Sequence, residues 1–228
     1  MQQALIIISL LLFSLYTLLL IYYRLAWMAL PEQPPVSPSD RVIRAGSISI
    51  IIPARNEAHN IIACLESIIH QTYPKDLFEV FVVDDHSTDK TVELVTGFAG
   101  KNVTLLHLKD AVAGNEFNAY KKKAIEMAIQ QSSGELIITT DADCIVPANW
   151  LQTIAAFYES SKPAFIAMPV CYSNKNNFFE IFQALDFMTL QGITGASVHK
   201  KIHSMCNGAN LAYASAAYRL RWRYDQYL

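Results

Sequence analysis

The sequence predicts an α/β domain with a mostly parallel sheet flanked by helices, preceded by one N-terminal transmembrane helix. Three observations predict it. An uncharged apolar stretch opens the chain. Short β-branched runs then alternate with helical runs of about ten residues, the pattern of βαβ units. Three of those strands end in polar clusters, and right-handed crossovers would bring them to one edge of the sheet.

Ala4 to Tyr23 reads ALIIISLLLFSLYTLLLIYY, twenty residues without a charge. At 1.5 Å per residue it spans roughly the 30 Å of a bilayer core. Tyr22, Tyr23 and Trp27 suit a membrane interface. The stretch is too long for a signal peptide, no Lys or Arg precedes it, and no small-residue cleavage site follows. Arg24, Arg41, Arg44 and Arg55 all lie after it, which places the C-terminal side in the cytoplasm. Residues 1–29 are therefore read as a single-pass anchor. Residues 30–45, with LPEQPPVSPSD, form a Pro-rich linker. Residues 46–228 form the folded domain.

Within that domain SISIIIP (47–53) is a short β-branched run ended by proline, a strand. Residues 60–70 carry Ile61, Ile62, Leu65, Ile68 and Ile69 at helical spacing. FEVFVVDD is the second strand, 89–98 a helix, and NVTLLHL the third strand. Residues 120–131 are helical, with Ala124, Met127 and Ala128 on one face. ELIITT is the fourth strand, 149–158 a helix, and AFIAMPV the fifth strand. Phe178 to Gly195 reads as an amphipathic helix, suited to core packing or to a membrane interface.

Composition excludes several classes. The chain is 52% hydrophobic and 17% charged with formal net charge -2. This gives no electrostatic footprint for nucleic acid. Cys64, Cys144, Cys171 and Cys206 show no C-x-x-C spacing and suit reduced thiols. No G-x-S-x-G, P-loop or G-x-G-x-x-G occurs.

The polar clusters carry the chemistry. The first strand ends in Pro53-Ala54-Arg55-Asn56-Glu57, the second in Asp84-Asp85-His86-Ser87, and the fourth in Asp141-Ala142-Asp143. Each residue type is also a common turn or helix-cap choice. Converging acidic groups would repel unless something cationic neutralises them, and a divalent metal carrying an anionic ligand would do so. Asp141 and Asp143, two residues apart on extended chain, point the same way and suit Mg²⁺ or Mn²⁺. Lys121 and Lys122 read as a solvated helix start, whereas Lys123 is a candidate for a diphosphate.

The segments SIIIPARNEAHNI, VVDDHSTDKT and TTDADC resemble family 2 glycosyltransferases of GT-A fold, a Rossmann-like architecture. The resemblance runs from about Ser47 to Leu211. It implies a UDP- or GDP-linked sugar donor, a divalent metal, and transfer with inversion to a lipid-linked or polysaccharide acceptor, as in cell-envelope synthesis. It implies that Pro53, Ala54 and Glu57 contact the nucleotide, that Asp84 and Asp85 recognise the base, and that Lys123 faces the diphosphate. Asp141 and Asp143 would hold metal, and Asp141 would also contact the nucleotide-sugar. MCNGANLAY (205–213) resembles an acceptor-side segment, with Asn207, Gly208 and Asn210 flooring the sugar site; a chain-reversing turn is its other reading. The family's acidic catalytic base is expected beyond Leu228, so the domain is expected to be incomplete at its C-terminus. A nucleotide-sugar-binding module without turnover is the competing expectation.

Overall fold

The computed structural model describes residues 1–32, 46–110, 120–173, 177–202 and 206–225. Residues 33–45 of the expected linker, Met205 and Leu228 lie outside the described residues. In chain order the elements are α1 (Gln2–Met28), β1 (Ile48–Ala54), α2 (Ile61–Ile69), β2 (Phe78–Asp84), α3 (Thr91–Thr96), β3 (Val103–His107), α4 (Tyr120–Gln131), β4 (Leu136–Thr140), α5 (Trp150–Ser161), β5 (Phe165–Ala167), α6 (Phe178–Lys200), β6 (Asn210–Ala214) and α7 (Ser215–Asp225). Short 3-10 turns precede β2 and follow β3.

The chain divides into two compact units. One comprises Met1–Glu32 and Ala167–Asn207, and the other Gln33–Ile166 and Gly208–Leu228.

The sheet order is β3-β2-β1-β4-β6-β5. β1 runs parallel to both β2 and β4, and β2 runs parallel to β3. β6 pairs antiparallel with β4, from Leu136↔Ala214 to Thr140↔Asn210. The mostly parallel sheet expected from the sequence is thus present, with one antiparallel strand at the fourth strand's outer side. The expected fifth strand, AFIAMPV, shrinks to three residues; Pro169 has no N–H to donate to a ladder.

A central parallel strand is covered on both faces, so its residues run continuously apolar. β1 follows this rule: Ile48, Ile50, Ile51 and Ile52 are fully buried. Ile51 points to the face where Phe81, Val83, Leu106 and Ile137 meet Ala124, Ala128 and Ile129 of α4. Small alanines on α4 let its backbone approach the sheet. α2 buries Ile61, Cys64, Leu65 and Ile68; of the stripe expected from helical spacing, Ile62 is exposed and Ile69 half-buried.

Two polar ties fix the sheet's N-terminal side. Ser49 Oγ donates to Glu79 Oε1 (2.6 Å) and accepts from the Gly134 amide (2.8 Å). Glu79 Oε1 also accepts from the amide and hydroxyl of Ser133. Gly134 leaves no room for a side chain, because a Cβ there would lie 2.5 Å from the Ser49 amide nitrogen.

In the other unit, α1 is the helix among the described residues long and apolar enough to cross a membrane. Its one buried residue is Ala26. Near its end Trp27 meets α6, where a Cβ on Gly195 would come within 3.0 Å of Trp27 Cζ3. The apolar residues at the start of α6 are not packed into a core: Phe178, Phe179, Phe182, Leu185 and Met188 are exposed.

Candidate functional site

Parallel pairing places the C-terminal ends of β1, β2 and β4 along one sheet edge. β1 lies between the other two, so the ends of β2 and β4 stand about 10 Å apart, two strand spacings. All three polar clusters therefore meet on one rim, as the element order requires.

The turn after β1 adopts its shape through Asn56, which has φ 56°, a left-handed conformation that Asn tolerates. Its side-chain oxygen accepts from the amide and hydroxyl of Thr88, and its amide donates to Ser87 Oγ. Asn56 thus ties the first cluster to the second, a role the motif reading missed. The lone signal was an Asn in a strand-to-helix turn. Ala54 is buried, and its carbonyl accepts from the Asp85 amide at 2.8 Å. Pro53 is half-buried at the end of β1. The Glu57 carboxylate accepts from Asn60 Nδ2 (2.9 Å), and its amide donates to Thr91 Oγ1 (2.8 Å).

Asp84 and Asp85 separate into two roles. Asp84 is buried and accepts from the Ser87 amide, holding the turn. Its other oxygen lies 3.5 Å from His107 Nδ1. Asp85 is half-buried on the rim, paired with His86 Nδ1 at 2.9 Å and with Arg55 at 3.6 Å. His86, at φ 56°, turns the chain directly after the two aspartates, and its ring meets Tyr120 edge-on. Asp89 anchors the start of α3. It accepts from the amide and hydroxyl of Thr91 and from the Ala58 amide. The Thr91 hydroxyl foremost holds the Asp89 carboxyl below its ordinary range.

At the end of β4, Asp141 Oδ1 receives Lys121 Nζ at 2.5 Å. Lys121 is exposed, as expected, and it is also the lysine that reaches this carboxylate. Lys123 is half-buried two residues further along α4, about half a turn, and makes its own interactions. Asp143 is exposed, with the Cys144 thiol 3.7 Å from Oδ1. The Asp141 carbonyl accepts from the Cys144 amide (3.1 Å) and from the Cys64 thiol (3.7 Å). Burial, then the charge of Asp143, raises Cys144; burial pushes Cys64 up to about 12. Both sulfurs are therefore protonated thiols at neutral pH.

The segment before β6 closes this end of the rim. Gly208 O accepts from Thr139 Oγ1 (2.9 Å), and a Cβ on Gly208 would lie 4.0 Å from Lys121 Nζ. Asn210 Oδ1 accepts from Trp150 Nε1 at 3.1 Å. Gly208 and Asn210 thus stand next to β4, in the same compact unit as Asp141. Asn207 ends the other unit.

The rim offers oxygen donors to a cation. No group of three or more His, Cys, Asp or Glu side chains with metal-holding geometry occurs among the described residues. Two carboxylates are what Mg²⁺ needs from a protein when substrate phosphates complete its shell. The residues therefore fit a divalent ion that arrives with a diphosphate, and do not form an all-protein cage.

Comparison with known proteins identifies the family. Residues 49–223 match the family model described as glycosyl transferase family 2. The glycosyltransferase AglE of Haloferax volcanii is 39% identical over 46% of this chain and 33% of its own. The Staphylococcus aureus enzyme TarS, a poly(ribitol-phosphate) beta-N-acetylglucosaminyltransferase, is 33% identical over 49% of this chain and 18% of its own. Among solved structures, the mannosyltransferase PcManGT from Pyrobaculum calidifontis, in complex with GDP-Man and Mn²⁺, superposes with TM-score 0.61. It is 25% identical over 86% of this chain and 51% of its own. The chain spans no more than about half the length of these relatives.

Proposed function

Since this chain belongs to glycosyl transferase family 2, we propose that it transfers a sugar from a UDP- or GDP-linked donor to a lipid-linked or glycan acceptor at a membrane. The observation that carries the reading is the acidic rim. Asp141 and Asp143 stand at the end of β4, Lys121 pairs with Asp141, and the β1 and β2 turns complete the same edge.

The residues divide the donor between them. Asp85, the half-buried member of its pair, contacts the base, while the buried Asp84 holds the turn that presents it. Pro53, Ala54 and Glu57 line the nucleotide with backbone and side chain. Lys121 and Lys123 face the diphosphate from α4. Asp141 and Asp143 would hold Mg²⁺ or Mn²⁺, which offsets charge developing on the departing diphosphate. Gly208 and Asn210, with Asn207, form the acceptor side. The acceptor hydroxyl, giving its proton to a carboxylate base, attacks the anomeric carbon from the face opposite the leaving group as the bond from that carbon to the diphosphate breaks, so the configuration inverts. α1 anchors the domain on the cytoplasmic side, as its following arginines direct.

Asp143→Ala tests the reading directly. Titration calorimetry with UDP and GDP in the presence of Mn²⁺ is expected to show at least one nucleotide binding the parent chain. The variant should lose that affinity by about 100-fold or more. Unchanged metal-dependent binding would refute the assignment. Radiolabelled donor offered with membrane extract then measures transfer. Tight nucleotide binding with no labelled product would favour a binding module.

A further inference from the structure

The compact unit built from α1 and α6 carries a surface that the donor site does not use. At the start of α6, Phe178, Ile181, Phe182, Leu185 and Met188 recur at helical spacing and share one side. All five are exposed, Phe178 by 81% and Phe182 by 62%. Glu180 and Gln183 fall on the opposite side, together with the exposed Phe179 and Leu190. The hydroxyl of Thr189, which lies along the apolar stripe, donates to the Leu185 carbonyl, so it presents no unmet donor there. A patch of this kind marks an interaction surface.

Its depth is set by the contact with α1. Gly192 and Gly195 form a notch on α6 that receives the Trp27 ring: a Cβ on Gly195 would lie 3.0 Å from the ring, and one on Gly192 4.0 Å. Ala26, Ala196 and Ser197 are buried in the same unit. Trp27 lies one turn beyond the uncharged stretch and three residues after Arg24. That is headgroup depth for a helix whose preceding twenty residues fill the hydrocarbon. The far end of α6 carries His199 and Lys200, followed by Lys201. Together with Arg24, these basic groups suit the phosphate level. A helix held at that depth, with an exposed apolar stripe and Glu180, Gln183 and Asp186 outside it, matches an interfacial helix.

We infer that α6 lies in the membrane interface, its Phe178–Met188 stripe covered by phospholipid acyl chains, as a second membrane contact beside α1. The inference rests on α1 being the membrane span. α6 differs from α1 in kind, because Glu180 and Asp186 interrupt its apolar character and it lies along the surface.

Site-specific photocrosslinking of the full chain in its own membranes tests this. The photoreactive residue p-benzoylphenylalanine is placed singly at Phe182, Leu185, Gln183 or, in α1, Leu12. After irradiation, adducts are identified by mass. Phospholipid adducts are expected at Leu12, Phe182 and Leu185, with several-fold less at Gln183. Lipid at Leu12 without lipid at Phe182 and Leu185 overturns the inference and leaves the anchor standing. Adducts to protein at Phe182 and Leu185, whether a second copy or another chain, overturn it as well. No lipid at Leu12 removes the anchor, and the inference with it.

Discussion

Gly134 shows how little freedom one backbone position can have. The Ser49 amide nitrogen and hydroxyl each lie 2.5 Å from where its Cβ would stand; the nitrogen cannot move without disturbing β1, nor the hydroxyl without giving up its bonds to Glu79 and Gly134. Gly134→Ala should therefore cost about 1–3 kcal/mol and lower the melting temperature in calorimetry. Lys121 is the residue whose role motif reading placed least well. A run of three lysines offers no periodic clue to which one meets Asp141, because the choice depends on how α4 rolls against Ile51 and Phe81. Lys121→Met is expected to weaken nucleotide binding more than Lys122→Met, read by the same titration. The thiols give a third outcome. Cys171 is exposed, while Cys64 is buried and pushed up to about 12. Iodoacetamide near neutral pH should label Cys171 readily and reach Cys64 only after denaturant is added, as peptide mass mapping would show.

Among the elements, strands with continuous apolar runs and helices with a clear stripe were legible in the sequence. β1, β2, β4, α2 and α4 lie within a residue or so of their expected bounds. β6 was not, because NLAYA is short and its pairing is dictated by the open side of β4, a long-range partner. α7 was hidden by SAAYRLRWRYD, whose apolar residues are too few to set a period. The rim was legible as three clusters, but the cross-turn ties through Asn56 and Asp89 are tertiary and left little local trace. Asp89 also sets a pH dependence. Its carboxyl is lowered in the folded chain. Its contribution is therefore present above the unfolded value, near 3.8, and lost as pH falls through the folded one. Amide exchange at Ala58 and Thr91 should accelerate in that acid window, ahead of exchange in β1.

For the whole molecule, the division into two compact units separates the donor rim from the α1–α6 pair. Hydropathy made α1 legible from composition, yet the exposed stripe of α6 could equally have packed into a core. Where that stripe points is settled by folding, not by its period. The anchor reading predicts that the full chain stays in the pellet after an alkaline carbonate wash. A reporter fused after Leu228 should read as cytoplasmic.

The antiparallel β6 carries a consequence for the order of events during synthesis. β4 ends in the carboxylates of the rim, but its outer edge is completed only by a strand made after α5, β5 and α6. Until then the emerging chain exposes a row of unpaired amides and carbonyls along LIITT, a template for pairing with other chains. Closure of that edge and arrival of Gly208 beside Thr139 are one event. The rim is thus finished in the same step that removes the nascent chain's sticky edge.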